Sequence, residues 1–179
     1  MRITVSGLPG SGTTSLARYL ATTHGFSLIS AGEVFRQMAA ERNTDLAEFG
    51  SLAQQEPGID RMIDERQKEI ALSMDDIIIE GRLSGWMVTC ADLKCWLSAS
   101  LPCRVSRILM RDQVPDTITA ARMTEEREEC EALRYQQYYG IDIGDLSPYH
   151  IVLNSERWSV EGLGEIVDTA IGALKKQNS

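Results

Sequence analysis

Apolar residues recur along the chain in two alternating patterns. Short runs rich in β-branched residues, at Ile3–Ser6, Ser27–Ser30, Ile77–Glu80, Leu93–Leu97 and His150–Asn154, read as strands. Between them lie stretches with helical spacing: Ser15–Thr23, Glu33–Arg42, Asp60–Ser73, Pro102–Arg111, Asp116–Tyr139 and Val160–Lys176. In the third of these, Ile59, Ile63, Ile70 and Ala71 fall on one helical face. Alternating strands and helices predict an α/β fold, a five-stranded parallel sheet with helices on both faces. Ile77, Ile78 and Ile79 form an unbroken apolar run, as expected of a central strand covered on both sides.

Two segments interrupt the alternation. Residues 33–73 are mostly helical, with a turn at Pro57-Gly58, and residues 112–147 are helical and densely charged. The chain of 179 residues fits one domain with small inserted lobes: a core of about 1–30, 74–111 and 148–179, and the two insertions. The polar tail Lys175–Ser179 is expected to fray.

The first strand runs into Gly7-Leu8-Pro9-Gly10-Ser11-Gly12-Thr13-Thr14, and a helix opens at Ser15. Strand, glycine-rich loop and helix N-terminus in this order make a phosphate-binding P-loop. Glycines let successive backbone N–H groups approach a phosphate, and the helix N-terminus adds partial positive charge. Thr14 stands where the motif offers a hydroxyl to Mg²⁺. Thr13 stands where the motif has lysine, so it brings a hydroxyl but no charge to the donor phosphates.

Positive charge has to come from elsewhere. Ligands of an open parallel sheet bind beyond the carboxyl ends of its strands. Just past two of those ends lie Arg36 and Arg82, whose planar forks suit phosphate. Glu80, at the end of the third strand, is a candidate Mg²⁺ ligand acting through water, or a partner for a cleft arginine. Arg104, Arg107 and Arg111 follow the fourth strand at helical spacing, and Arg127, Glu131 and Arg134 share a helix face. Such a face is either a solvated stripe of salt bridges or a lid that closes guanidinium groups over a transferring phosphoryl.

Composition narrows the partners. A net charge of −8 excludes the broad basic face that nucleic acid or an acidic membrane demands, but leaves room for a local pocket of arginines. The four cysteines form no CxxC pair, and only His24 and His150 are available beside them, so neither a zinc site nor a disulfide framework is expected. The N-terminus has no apolar run of signal-peptide length and no stretch is long enough to span a bilayer, so a cytoplasmic monomer with small-molecule partners is expected.

The runs SAGEVFR (30–36), EGRLSGW (80–86), REECEALRYQQYYGIDI (127–143) and NSERW (154–158) resemble those of archaeal-type cytidylate kinases, and the resemblance covers nearly the whole chain. It implies a P-loop NTPase fold and transfer of the γ-phosphoryl of ATP to CMP or dCMP with Mg²⁺. It makes residues 31–73 the lobe that binds the nucleoside monophosphate and 112–147 the lid. It implies that Arg36 and Arg82 hold the acceptor's α-phosphate, with Ser30, Gly32, Gly81 and Gly85 completing that site. Arg127 and Arg134, with Glu131 between them, are implied as the catalytic face of the lid; their spacing resembles an Arg-x-x-x-Asp-x-x-Arg pattern in bacterial cytidylate kinases, glutamate replacing aspartate. Arg107 and Arg111 look like residues of the lid hinge and donor nucleotide, and Asn154–Trp158 like the loop beside the adenine. The residues themselves leave other readings open: UMP, AMP or a small metabolite such as shikimate as acceptor, a regulatory nucleotide binder without turnover, or a scaffold.

Overall fold

The computed structural model describes residues 1–44, 49, 52, 53 and 56–177. Parts of the expected 31–73 lobe, and the last two residues of the tail, lie outside the described residues. Strands β1 (Arg2–Gly7), β2 (Ser27–Ser30), β3 (Ile77–Glu80), β4 (Leu93–Ser98) and β5 (Ile151–Asn154) form one parallel sheet in the order β2-β3-β1-β4-β5. The helices are α1 (Thr13–His24), α2 (Ala31–Glu41), α3 (Pro57–Ser73), α4 (Ser84–Met87), α5 (Leu101–Asp112), α6 (Thr117–Tyr139) and α7 (Val160–Gln177).

The isoleucine run in β3 shows why both faces must be covered. Successive strand residues point to opposite faces. Ile78 joins Ile3, Val5, Leu97 and the helices α1 and α7 on one side. Ile77 and Ile79 join Ile29 and the helices α2 and α3 on the other. Two cores thus sandwich the sheet. A smaller cluster of Leu83, Tyr135 and Ile141 packs the charged helix α6 against the segment after β3.

Every expected strand is present to within a residue at each end. Helix α2 begins at Ala31, two residues earlier than its spacing suggested, directly where β2 stops. Asp116, read as the first residue of the charged helix, is its cap: its carboxylate accepts from the Thr119 N–H at 2.9 Å and from the Thr119 hydroxyl at 2.7 Å. Gln113, at φ 53°, ends α5 and turns the chain into the short link before α6. Helix α4 was not expected, because one turn is too short to show a period. It is held by the Ser84 hydroxyl, which lies 2.8 Å from that of Ser6 and 3.1 Å from the Gly81 carbonyl.

Ile78 is fully buried in the centre of the sheet. Ile78→Ala is expected to lower unfolding free energy by about 2–5 kcal/mol, as deletion of a well-packed core side chain does. A urea titration reads it as a shift in midpoint at unchanged slope.

Candidate active site

The loop after β1 takes the conformation that its glycines allow. Gly10 (φ 81°) and Gly12 (φ 93°) are both left-handed, and a Cβ on Gly10 would lie 2.7 Å from the Arg104 carbonyl oxygen. The Ser11 N–H donates to the Leu8 carbonyl at 3.1 Å, and α1 opens at Thr13. Gly7, Leu8 and Pro9 contribute backbone carbonyls that brace the loop. The cleft itself is floored by Gly10 to Ser15.

Helix α5 supports this loop from one side. Arg104 is buried, donates to the Pro9 carbonyl at 3.2 Å and to the Ala99 carbonyl at 3.1 Å, and forks onto Glu128 of α6. One turn later, Arg107 donates to the Gly10 carbonyl at 3.2 Å and to the hydroxyl and carbonyl of Ser155 at 2.9 and 2.8 Å. Arg111 is exposed at the cleft edge and pairs with Asp112.

On the other side, the Thr13 hydroxyl turns away from the loop and donates to Glu80 Oε1 at 2.7 Å. Ser30, at the end of β2, donates to Glu80 Oε2 at 2.6 Å. The Glu80 backbone carbonyl accepts from Gln67 Nε2 at 3.0 Å. Glu80 is thus partnered by hydroxyls; the arginine partner weighed for it goes elsewhere. Arg82 donates from Nη1 to the Gly7 carbonyl at 3.1 Å and from Nε to Glu131 at 3.0 Å. Glu131 also accepts from Arg127 at 2.8 Å. Glu131 thus joins Arg127 of α6 to Arg82 of the core. The two span the cleft because α6 packs over the end of β3.

Burial alone would raise the Glu131 pKa, but the charges of Arg82 and Arg127 outweigh it and hold the carboxyl below its ordinary 4.5. The cleft enclosed by these elements measures about 1530 Å³, more than a single small ligand fills. Ser30, Gly32, Arg36, Gly81 and Arg82 line one end, Arg127 and Arg134 the wall formed by α6, and Trp158 the end beside Ser155 and Arg107. Tyr139 of α6 donates to Asp64 of α3 at 2.7 Å, tying the two helices together.

A phosphate loop facing four arginines can be compared with known proteins. The sequence profile of the Cytidylate kinase-like family matches residues 2–157. The chain is 65% identical over 176 residues to the cytidylate kinase of Methanoregula boonei, covering 98% of this chain and 97% of that one. It is 65% identical over 176 residues to that of Methanospirillum hungatei, with 98% and 99% covered.

The chain belongs to the cytidylate kinase-like family.

Its fold is also that of a shikimate kinase from Bacteroides thetaiotaomicron (TM-score 0.69, 14% identity, 96% of this chain and 98% of that one) and of a deoxyadenosine kinase from M. mycoides solved with bound dATP (TM-score 0.58, 14% identity, 96% and 100%). A kinase of this family uses a nucleotide as phosphoryl donor, and no helix among the described residues is long and apolar enough to cross a membrane. Within this cytidylate kinase-like fold, one expected acceptor residue is misplaced. Gly85 lies buried outside the cleft lining, under the ring of Tyr149, where a Cβ would come within 2.9 Å of Cζ. Its missing side chain serves packing. Two residues escaped the sequence reading. Arg104 was grouped with Arg107 and Arg111 by spacing, which does not reveal that it points inward. Gln67 left no signal, being one amide in a periodic helix.

Removing the Glu131 carboxylate strands a largely buried guanidinium at Arg82. Glu131→Ala is expected to destabilise the fold by about 3–5 kcal/mol, as loss of one partner from a buried pair does. Because the folded-state pKa is depressed, this contribution is complete above pH 4.5 and is lost as pH falls through the lower folded value. Thermal melts of wild type and variant should therefore converge as the pH is lowered below 4.5.

Proposed function

We propose that this protein transfers the γ-phosphoryl group of ATP to CMP and dCMP, with Mg²⁺ as cofactor. The observation that carries the proposal is the convergence of Arg36, Arg82, Arg127 and Arg134 on one cleft that begins at the phosphate loop. The donor phosphates lie on the backbone of Gly7–Gly12 and the N-terminus of α1, with Arg107 and Arg111 beside them. Arg36 and Arg82 hold the acceptor's phosphate, and residues 31–73 surround its nucleoside. Residues 112–147 act as a lid that turns about the link at Gln113 and brings Arg127 and Arg134 onto the transferring group.

The residues fit a hard cation. Among the described residues no group of three or more His, Cys, Asp or Glu side chains gathers to hold a metal by itself, so phosphate oxygens supply most of its ligands. Thr14, the second residue of α1, lies on the cleft floor with its hydroxyl available, and Glu80, whose carboxylate has more lone pairs than its two hydroxyl partners use, reaches the metal's water. When bound, Mg²⁺ draws charge from the phosphate oxygens. The protein's share is positioning and electrostatic stabilisation, and no protein nucleophile is needed. With the lid in the position seen here Glu131 holds Arg127 beside Arg82, so the two need little further reorganisation as charge develops on the equatorial oxygens.

Turnover is tested by coupled ADP release with CMP, dCMP, UMP and AMP, with and without Mg²⁺. CMP and dCMP should be the best acceptors and Mg²⁺ should be required; ATP binding with no ADP released from any monophosphate would refute the assignment. In the same assay, Arg127→Ala and Arg134→Ala should each lower kcat by at least ~10²-fold, the loss typical of an electrostatic stabiliser. Thr13→Lys should change kcat by less than ~10-fold, or about 1.4 kcal/mol, because the cleft arginines already supply the charge.

A further inference from the structure

The acceptor end of the cleft has a floor whose chemistry is directional. Phe35 and Ile63 line it, and so does Leu83; Phe35 precedes Arg36 and Leu83 follows Arg82. An apolar slot next to two phosphate-binding arginines suits a planar base attached to a phosphorylated sugar. Gln67 lies one helical turn beyond Ile63 on α3, is 3% exposed, and lines the same cleft. Its amide rests against Gly81, where a Cβ would come within 3.4 Å of Oε1 and 3.6 Å of Nε2.

The bond from Gln67 Nε2 to the Glu80 carbonyl decides which way the amide faces. A carbonyl oxygen accepts only from the NH₂ end, and a flipped amide would set two acceptors against each other. Glu80 is itself fixed by Thr13 and Ser30, so the lock has a rigid anchor. The bond uses one of the two N–H groups, leaving an N–H donor and a C=O acceptor side by side. Cytosine presents the complement: N3 accepts and the 4-amino group donates. Uracil presents the reverse, a donor at N3 and an acceptor at O4.

We propose that Gln67 is the residue that selects an amino-substituted base over a keto base in the acceptor, its orientation set by the Glu80 carbonyl. This rests on the acceptor being a pyrimidine monophosphate, as argued above, and goes beyond it by naming the discriminating group. The amide does not separate cytosine from adenine, whose N1 and 6-amino group offer the same pair; exclusion of the larger ring falls to the walls of the slot.

The test compares acceptors by kcat/KM in the full chain. Wild type is expected to favour CMP by about 10–100-fold over UMP and over the pyrimidin-2-one ribonucleoside monophosphate, which is CMP without its amino group, as a bidentate amide–base contact does. Gln67→Met keeps the length and removes both polar groups. It should lower kcat/KM for CMP by about 10–100-fold more than for UMP, so that the preference collapses, whatever loss the two acceptors share. A Gln67→Met enzyme in which both acceptors fall together, with the CMP-to-UMP ratio kept, would mean that Gln67 only supports Glu80, and would overturn the inference. So would a wild type that uses the amino-free analogue as well as CMP; that comparison decides the matter alone if the variant does not fold. A wild type that transfers to no pyrimidine monophosphate would instead refute the proposed function.

Discussion

The carboxylate of Glu80 is the constraint on which the cleft depends. It sits at the end of a central strand and is almost wholly buried, and a charge in that position is tolerated only when its oxygens are hydrogen-bonded. Its partners come from two distant places, Thr13 at the start of α1 and Ser30 at the end of β2, while its backbone carbonyl takes Gln67 from α3. One residue therefore fixes the phosphate loop, the second strand end and helix α3 relative to one another. Each contact also satisfies a polar group that would otherwise be stranded in the interior, so stability and alignment have the same cause.

The second constraint is the distribution of arginines. A chain of net charge −8 gathers guanidinium groups around one cleft by giving several of them a carboxylate or a row of carbonyls. Arg104 takes Glu128 and the Pro9 carbonyl, Arg82 takes Glu131 and the Gly7 carbonyl, and Arg107 takes Gly10 and Ser155. Three backbone carbonyls of the phosphate loop thereby accept from arginines. Those bonds place cations behind the loop. Glu128 and Glu131 both lie on α6, so that helix is attached to the core through Arg82, which lines the cleft, and through Arg104, which is buried behind it. Movement of α6 would change the environment of Arg82 directly.

What the sequence makes legible follows from the range of the interactions involved. The strands, the phosphate loop and most helix limits are local patterns of period two, period three to four, or glycine placement, and they stand within a residue or two of where those patterns put them. The cleft arginines were legible for a topological reason: the parallel sheet sends its carboxyl ends to one side, so residues just past β2 and β3 had to meet. Partnerships across the cleft were not. Arg82 and Glu131 are 49 residues apart and Gln67 reaches the end of β3 from the helix before it, and no periodicity encodes which acidic residue a given arginine will choose. Gly85 misled because it lies in a run that resembles a family motif, and a motif does not distinguish a glycine that approaches a ligand from one that makes room for Tyr149.

Thr13 draws these strands of argument together. In a P-loop with lysine, one side chain brings charge to the phosphates. Here the residue at that position is 6% exposed and faces the strand end, so its hydroxyl completes the coordination of a carboxylate. The Thr13 side chain fixes geometry, and the cleft it adjoins is lined by arginines from α2, α5, α6 and the end of β3. Distributing the cations in this way makes their assembly depend on the relative positions of several elements. A carboxylate that locks the loop to the sheet is what such a site requires, and Thr13 and Ser30 hold that carboxylate in place without neutralising it.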